Sequence, residues 1–238
     1  MRLSAGGTSL AAAVVVGVIA VTVPPLLVVS ALRVLATDWF VRYEFGRDGV
    51  PPDRYGLTST ERLELALTGL RSIQPGSEGI VVLERATLPD GSLAFNGREL
   101  RHMADVRRLL GTAFKAQQAV LVLLSVLALA LFRSSRWRAV IPRGLLFGAL
   151  GTLGVAALAV PVILLGFDGF FLRFHELFFA GDTWRFSTTD TLLRLYPELF
   201  WQHTAQLASA IAVVQAVVVA LVARWWLRRI RSGVRSGT

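Results

Sequence analysis

The sequence predicts a membrane protein in which an all-α core of four transmembrane helices carries a small α+β extracytoplasmic cap. Three observations favour this fold class. Four long stretches of the 238-residue chain contain no charged side chain. Only 17% of the residues are charged, against about a quarter in a typical soluble domain, and the mean hydropathy is +0.57. The arginines behind the net charge of +9 cluster in short segments beside the apolar stretches.

Each charge-free stretch is long enough to cross a bilayer as a helix. The hydrocarbon core is about 30 Å thick and needs about 20 apolar residues in helical conformation. A charge at its centre costs at least about 2.5 kcal/mol, so charge-free stretches of this length indicate spans. The second stretch has only 17 residues, but the amine of Lys115 can reach the surface and so extend it. The stretches lie between Arg2 and Arg33, Lys115 and Arg133, Arg143 and Asp168, and Glu198 and Arg224.

The first span has two interpretations. The residues Val29-Ser30-Ala31 resemble a signal-peptide cleavage site, which favours a secretory signal. A signal peptide, however, has an apolar region of about 7–15 residues, and this stretch is roughly twice as long. We therefore expect a retained helix that is kinked or broken near Pro24-Pro25, because proline removes a backbone hydrogen bond.

The distribution of arginine predicts the orientation in the membrane. Ten arginines lie at the N-terminus, between spans two and three, and after span four, and no acidic residue lies among them. The positive-inside rule places these segments in the cytoplasm. All 16 acidic residues fall in the two remaining segments, which are then extracytoplasmic. The ten are Arg2, Arg133, Arg136, Arg138, Arg143, Arg224, Arg228, Arg229, Arg231 and Arg235.

This orientation divides the chain into five segments of a multi-pass cell-membrane protein with both termini in the cytoplasm. They are the first transmembrane helix with a short cytoplasmic N-terminus (1–37), the extracytoplasmic cap (38–113), transmembrane helices two and three with a basic cytoplasmic loop (114–167), an aromatic extracytoplasmic segment (168–203), and the fourth transmembrane helix with a basic tail (204–238).

Composition and motifs exclude several classes of function. A pI of 11.3 is common in nucleic-acid-binding proteins. Here the positive-inside rule explains where the arginines lie, so we expect no nucleic-acid partner. The absence of cysteine excludes a disulfide scaffold, a thiolate zinc site and a cysteine nucleophile. No G-x-S-x-G elbow is present. His175-Glu176 begins an H-E-x-x-H pattern, but Phe179 occupies its last position, so no metal site is predicted.

Local patterns predict the secondary structure of the cap. Thr58 and Glu61 form a capping box, which starts a short helix. From Glu99 onwards, apolar residues repeat at helical spacing, and this helix is expected to continue into span two. Three short segments with β-branched or aromatic residues are predicted to be strands: Asp38–Phe45, Ile80–Leu83 and Leu93–Phe95, with a turn at Pro89-Asp90-Gly91 before the last.

The second outer segment is unusually aromatic. Tryptophan and tyrosine, which have polar edges, are the usual residues of an interfacial belt, and such a belt is one interpretation. Phenylalanine predominates here, however, and this favours the wall of a lipid-facing pocket. The eight aromatic residues within residues 167–186 are Phe167, Phe170, Phe171, Phe174, Phe178, Phe179, Trp184 and Phe186.

The three histidines of the chain all lie in the predicted outer segments. His102, His175 and His203 are each close to a predicted membrane boundary. Histidine is the side chain best suited to acid–base catalysis near neutral pH, although a histidine at such a position can also serve packing alone. The carboxylates of Asp182, Asp190 and Glu198 could orient an imidazole. Alternatively, the role of the Asp190 segment is helix capping, with Thr188 or Thr189 as the cap of a helix that runs from Thr191 to Tyr196 and ends at Pro197.

Several motifs resemble one known family. They are the stretches 174–179 (FHELFF), 182–184 (DTW), 190–192 (DTL), 195–200 (LYPELF) and 102–106 (HMADV). Together with the four-span layout, they are similar to the four-helix bacterial integral membrane proteins whose characterised member is the lipoprotein intramolecular transacylase.

The resemblance implies an activity and a site. The activity is transfer of the sn-2 acyl chain of a diacylglyceryl lipoprotein to the amino group of its N-terminal cysteine. The partners implied are the membrane-anchored lipoprotein and the phospholipid bilayer; no cofactor and no oligomer are required. The catalytic pair carries over to His102 and His175, whereas His203 has no counterpart. Substrate-pocket or orienting residues are Asp105, Phe174, Glu176, Phe178, Phe179, Asp182, Trp184, Asp190 and Glu198.

Two other classes of function remain compatible with the residues. One is a membrane protein that binds lipid or lipoprotein without catalysis. The other is a zinc-dependent membrane hydrolase, in which the three histidines would meet across segments.

Overall fold

The computed structural model describes residues 5–132 and 137–235, with side chains described for residues 10–131 and 137–232. Arg2, Arg133 and Arg136, on which part of the predicted orientation rests, lie outside these residues, as does the side chain of Arg235. The described chain forms nine helices: α1 (Ala5–Leu35), α2 (Asp38–Phe45), α3 (Ser59–Ile73), α4 (Val81–Glu84), α5 (Gly97–Phe132), α6 (Val140–Leu165), α7 (Phe167–Phe178), α8 (Thr191–Leu195) and α9 (Glu198–Arg235).

Four helices are long and apolar enough to cross a membrane. Together they confirm the predicted all-α core of a multi-pass membrane protein. The sequence predicted a helix kinked or broken near Pro24-Pro25; α1 continues through both prolines, so it is not broken there. The candidate spans are Leu10–Leu35, Gly97–Leu131, Val140–Leu165 and Glu198–Ser232.

Small residues allow close packing in the first of two compact units, which comprises residues 1–31, 116–160 and 208–238. A Cβ atom added to Gly144 would lie 2.6 Å from the Cβ of Ile19, and one added to Gly148 would lie 2.5 Å from the Cβ of Val23. These two glycines therefore permit α6 to approach α1 closely, as small residues do in membrane helix pairs. The polar side chain of Gln117 is buried here, and its amide donates to Ser30 Oγ at 2.8 Å.

The second unit comprises residues 32–115 and 161–207, and its cap is helical. The predicted α+β character of the cap is wrong: no strand occurs among the described residues. The segment Asp38–Phe45 is a helix because Thr37 caps it, accepting a hydrogen bond from the Phe40 N–H. Its buried side chains, Phe40, Val41 and Glu44, follow helical spacing rather than the alternation of a strand.

The other two predicted strands are too short to pair into a sheet. Residues 81–84 form one helical turn, which follows Gly79 in a left-handed conformation (φ +78°). Leu93 makes a single isolated bridge with Thr87, across the predicted turn at Pro89-Asp90-Gly91. A two-stranded ribbon of this length has too few ladder bonds and too little buried surface to be stable in water.

The helical predictions for the cap are confirmed. Thr58 and Glu61 form the complete capping box at the start of α3. The helix expected from Glu99 begins at Gly97 and continues without interruption into the second candidate span.

Polar interactions tie α8 to the rest of the second unit. The guanidinium of Arg194 forms two hydrogen bonds with the Asp53 carboxylate, at 3.0 and 2.8 Å. The buried Arg62 donates to the backbone oxygens of Pro51 and Arg194, both at 2.8 Å. The Tyr196 hydroxyl, which follows α8, donates to the Ala66 carbonyl of α3.

We expect Gly69→Ala to destabilise the protein by about 2 kcal/mol, because overpacking of a well-packed core has costs of this size. An added Cβ would lie 2.6 Å from the Tyr196 hydroxyl oxygen and push it away from Ala66. The thermal unfolding temperature in detergent measures the effect. Gly111→Ala is the matched control, since Gly111 has open space around it and alanine favours helix. Equal unfolding temperatures for the two variants would contradict the prediction.

Candidate functional site

Two histidines from different helices meet in the second unit. His102 lies in the first turns of α5, and His175 lies in the last turn of α7. Their ring centroids are 6.0 Å apart, and their planes differ by 27°. Both side chains are buried, with exposed fractions of 8% and 9%. The structure therefore brings together the pair that the sequence predicted as catalytic, and we call it the histidine pair.

Aromatic rings surround the histidine pair. Phe179 lies against both imidazoles, at 4.9 Å from His102 and 5.4 Å from His175. We call the set of contacting rings the aromatic pocket: Phe171, Phe174, Phe179 and Trp184 around His175, and Phe179 and Phe186 around His102. Phe178 contacts Phe174 rather than either histidine, and almost half of its surface is exposed.

The backbone of α7 orients His175. Its Nδ1 lies 2.8 Å from the carbonyl oxygen of Phe171, one helical turn earlier. A carbonyl oxygen can only accept, so Nδ1 carries the proton and donates it in this hydrogen bond. In the neutral ring, Nε2 then has a free lone pair. His175 is thereby prepared to accept a proton at Nε2.

His102 has an unused hydrogen-bonding position. Its Nδ1 is buried and has no hydrogen-bond partner among the described residues. A buried polar atom without a partner costs roughly 1–3 kcal/mol. An atom of this kind in a site commonly finds its partner in a bound ligand. Each ring of the histidine pair therefore has a nitrogen without a hydrogen-bond partner among the described residues.

We expect His175 to be neutral at physiological pH, because burial lowers its pKa below the ordinary value of 6.5. The hydrogen bond to Phe171 acts in the opposite direction but is the smaller effect. Since the chain has only three histidines, ¹³C-histidine NMR in detergent can follow each ring separately, with His175→Phe to assign the signal. The midpoint for His175 should lie below 6.5, and a midpoint at or above 6.5 would refute this expectation. By linkage, the folded state should lose stability as the pH falls from 6.5 through the folded-state pKa.

The predicted orienting carboxylates have partners other than the histidine pair. No hydrogen bond between a carboxylate and His102 or His175 occurs in the described part of the chain, and a backbone carbonyl orients His175 instead. Four of these carboxylates pair locally: Asp105 with Arg108, Glu176 with Arg173, Asp182 with Arg185, and Glu198 with Gln202.

Asp190 holds two segments together. The helix predicted over Thr191 to Tyr196 is present as α8, but Asp190, and neither Thr188 nor Thr189, occupies the residue before it, and the Asp190 side chain makes no capping bond to α8. Its carboxylate accepts from the Asn96 amide at 2.9 Å, from Arg98 at 3.0 Å and from the Ser187 N–H at 2.7 Å. Neither sequence interpretation of Asp190 included this contact with the start of α5.

Comparison with known proteins shows the family of this chain. A model of the lipoprotein intramolecular transacylase Lit family matches residues 16–201, more than three quarters of the chain. The chain belongs to the Lit family. The matched region contains both members of the histidine pair and all rings of the aromatic pocket. Membership makes the chain an acyltransferase enzyme that acts as a lipoprotein transacylase in the membrane.

Individual relatives cover most of the chain. An uncharacterised protein of Aquifex aeolicus is 30% identical over 187 residues, which cover 79% of this chain and 82% of that protein. The in meso structure of the membrane-integral transacylase Lit of Bacillus cereus has a TM-score of 0.79, with 18% identity over 94% of this chain and 99% of that chain. A variant of that protein with one histidine replaced by alanine has a TM-score of 0.72, with 18% identity over 94% and 97% of the two chains. The two structures share the Lit fold with this chain.

The third histidine lies in a different environment. Nδ1 of His203, on α9, is 3.2 Å from a carboxylate oxygen of Glu44 on α2 and also contacts Arg47. The three histidines therefore do not meet. No group of three or more metal-ligating side chains occurs among the residues that the structure describes.

Sequence patterns did not reveal two features of the site. The first is the Phe171 carbonyl, since a backbone atom leaves no signal in the residue type. The second is Glu99, which is 1% exposed and accepts hydrogen bonds from two backbone N–H groups. A signal for Glu99 was present, because Asn96 followed three residues later by Glu99 is a capping-box pattern at the start of a helix.

Proposed function

We propose that this Lit-family transacylase transfers the sn-2 acyl chain of a diacylglyceryl lipoprotein to the α-amino group of its N-terminal cysteine, and that the histidine pair performs the proton transfers. The observation that carries the proposal is the geometry of the pair: two buried imidazoles 6.0 Å apart, each with a nitrogen available, within the aromatic pocket.

The reaction balances with acid–base chemistry alone. The free amine attacks the carbonyl carbon of the sn-2 ester, and a C–N bond forms. The bond between that carbon and the sn-2 oxygen then breaks. The nitrogen loses a proton and the departing alkoxide gains one, so the product has an amide and a free hydroxyl at sn-2. No oxidant, reductant or second substrate is consumed.

The histidine pair can serve both proton transfers. The α-ammonium group has a pKa of about 8, so part of the substrate must be deprotonated before attack. One imidazole accepts this proton, and the other donates to the leaving oxygen. Each proton transfer is worth about 10²–10⁴-fold in rate. The low pKa of His175 keeps this ring in the base form near neutral pH.

The aromatic pocket supplies proximity. Amine and ester belong to one substrate molecule, and rings on three sides of the histidine pair restrict where they can lie. Well-oriented intramolecular reactions reach effective molarities of about 10⁵ M or more. The apolar lining also suits a fatty acyl chain and excludes water, which would otherwise hydrolyse the ester.

We infer the orientation in the membrane from the positive-inside rule. The cytoplasmic side then holds both termini and the loop within 114–167, while the cap of 38–113 and the aromatic segment 168–203 are extracytoplasmic. Alkaline phosphatase, which is active only outside the cytoplasm, should be inactive when fused after Arg235. An active fusion would overturn the orientation.

The test of the proposed reaction is expression in a bacterium that lacks this activity. Mass spectrometry of lipoprotein N-termini should show an acyl chain on the cysteine amine and a single acyl chain on the glycerol. An unchanged diacylglyceryl form, with the protein present in the membrane, would refute the proposal. Metal analysis of the purified protein addresses the alternative of a zinc hydrolase, for which stoichiometric zinc is required.

A further inference from the structure

The position of His102 relative to the aromatic pocket depends on two segments that are far apart in the chain. The first is residues 94–99, which lead into α5 and end one helical turn before His102. The second is residues 187–192, which follow Trp184 and Phe186 and lead into α8. Any change in how these segments dock would move His102 relative to the rings that cover it.

Glu99 joins these two segments at a buried point. One carboxylate oxygen accepts from the Asn96 N–H at 2.8 Å, which completes a capping box at the start of α5. The other oxygen accepts from the Leu192 N–H at 2.7 Å, in the first turn of α8. Capping needs only the first of these bonds. The second bond crosses 93 positions of sequence.

Further hydrogen bonds join the same segments beside Glu99. Asp190 accepts from Asn96 and Arg98, and the Thr191 hydroxyl donates to the Ala94 carbonyl. We call the set of Ala94, Asn96, Arg98, Glu99, Asp190, Thr191 and Leu192 the clamp. Its buried part is Glu99, and its more accessible part is the Asp190–Arg98 ion pair.

Glu99 can transmit a displacement directly to His102. The two residues are three positions apart on α5, so their side chains project from the same face of the helix. The Phe186 ring, 5.3 Å from His102, lies six residues before Leu192. The clamp therefore connects the ring that covers His102 to the helical turn that carries it.

We propose that Glu99 is a positioning residue of the transacylase, which holds the aromatic pocket closed over His102 through its bond to Leu192. This inference rests on the proposed function. Both carboxylate oxygens accept backbone N–H groups, so Glu99 acts through His102 and not on the substrate. Misplacement of a reacting group by about 1 Å can cost about 10²-fold in rate, and Glu99 prevents such a shift.

The test compares Glu99→Ala, Glu99→Gln and wild type by two measurements. The first is the rate of transacylation of a purified diacylglyceryl lipoprotein, as kcat and apparent KM. The second is labelling of histidine by diethyl pyrocarbonate, quantified by mass spectrometry at His102, with His203 as the internal reference.

Glu99→Ala should lower kcat at least about tenfold with little change in KM. It should also speed labelling of His102 about fivefold, since loss of about 1 kcal/mol of docking opens the site by that factor. Glu99→Gln keeps one acceptor oxygen, so its kcat and its rate of His102 labelling should lie between those of wild type and Glu99→Ala.

Glu61→Ala is the matched control. Glu61 completes the same kind of capping box on α3, with a 2.8 Å bond from the Thr58 N–H, but it bonds to no second segment. This variant should keep the wild-type kcat and the wild-type labelling of His102.

Four outcomes bear on the proposal. A folded Glu99→Ala protein with wild-type kcat and wild-type labelling overturns it, and so does equal loss in Glu61→Ala. If Glu99→Ala does not fold, Asp190→Ala replaces it, because this variant breaks the more accessible part of the clamp. Asp190→Ala must then show a lower kcat and faster labelling of His102. If it shows neither change, the proposal is wrong. If wild type has no transacylase activity, the proposed function fails, while the labelling of His102 still tests the clamp.

Discussion

Replacing either member of the histidine pair with alanine is expected to lower the transacylation rate by about 10²–10⁴-fold. The reason is that each histidine serves one of the two proton transfers. Without one ring the amine keeps its proton, and without the other ring the alkoxide receives none. The double variant should lose little more than the worse single variant, because residues that act as a unit are not additive. The measurement is mass spectrometry of lipoprotein N-termini over time.

The matched control is the third histidine. His203→Ala removes an imidazole that contacts Glu44 and Arg47 rather than the aromatic pocket, so the activity should stay near wild type. Full activity in both His102→Ala and His175→Ala would refute the hypothesis that the pair performs acid–base catalysis. If substitution of Phe179 or Trp184 abolished activity in the same experiments while both histidine variants kept it, binding of the substrate in the aromatic pocket, and not proton transfer by the pair, would account for the function.

The second large effect concerns stability. Arg194→Ala is expected to lower the free energy of unfolding by about 3–5 kcal/mol, because it leaves the Asp53 carboxylate buried without its counter-charge. The side chains of this pair are only 8% and 2% exposed, and two bonds link them. The loss should appear in the unfolding temperature of the detergent-purified protein and in its abundance in the membrane.

An exposed ion pair provides the comparison for Arg194. Arg71→Ala breaks the contact with Asp38, in which both side chains are about half exposed, and should cost no more than about 1 kcal/mol. Equal effects of the two substitutions would refute the argument from burial.

The pH dependence gives an independent check on the same pair. Hydrogen bonding to Arg194 lowers the pKa of Asp53 to about 2 from the ordinary 3.8. Its contribution to stability is therefore complete above about pH 3.8 and is lost as the pH falls towards 2. Arg194→Ala should remove much of this dependence.

Two kinds of feature in the cap differed in how well local sequence predicted them. The capping box at Thr58 and Glu61 involves residues three apart, so it could be identified before any fold was known. The segments Asp38–Phe45 and Ile80–Leu83 contain residues that suit strands, yet both are largely helical. Their conformation depends on which of their faces are buried by α3 and its neighbours. A strand also needs a neighbouring strand to pair with, and the described residues of this cap provide none.

In the candidate site, too, sequence predicted some features and not others. The types of the key residues, two histidines and a group of aromatic rings, were evident from composition and from the family resemblance. The carboxylate partners were not, because Asp182, Glu176 and Asp105 have arginines three residues away in the chain that satisfy them. The orienting group of His175 is a backbone carbonyl, which every residue carries.

The sequence by itself determined that this protein is a multi-pass membrane protein with four candidate spans and that a helix starts after Thr58, because hydropathy and capping act over short stretches of the chain. Only the tertiary structure decided that His102 and His175, 73 residues apart, share one aromatic pocket and that Glu99 bonds to Leu192. Contacts of this kind depend on the docking of α5, α7 and α8. That docking results from burial and hydrogen bonding summed over the whole cap, and no single segment encodes it.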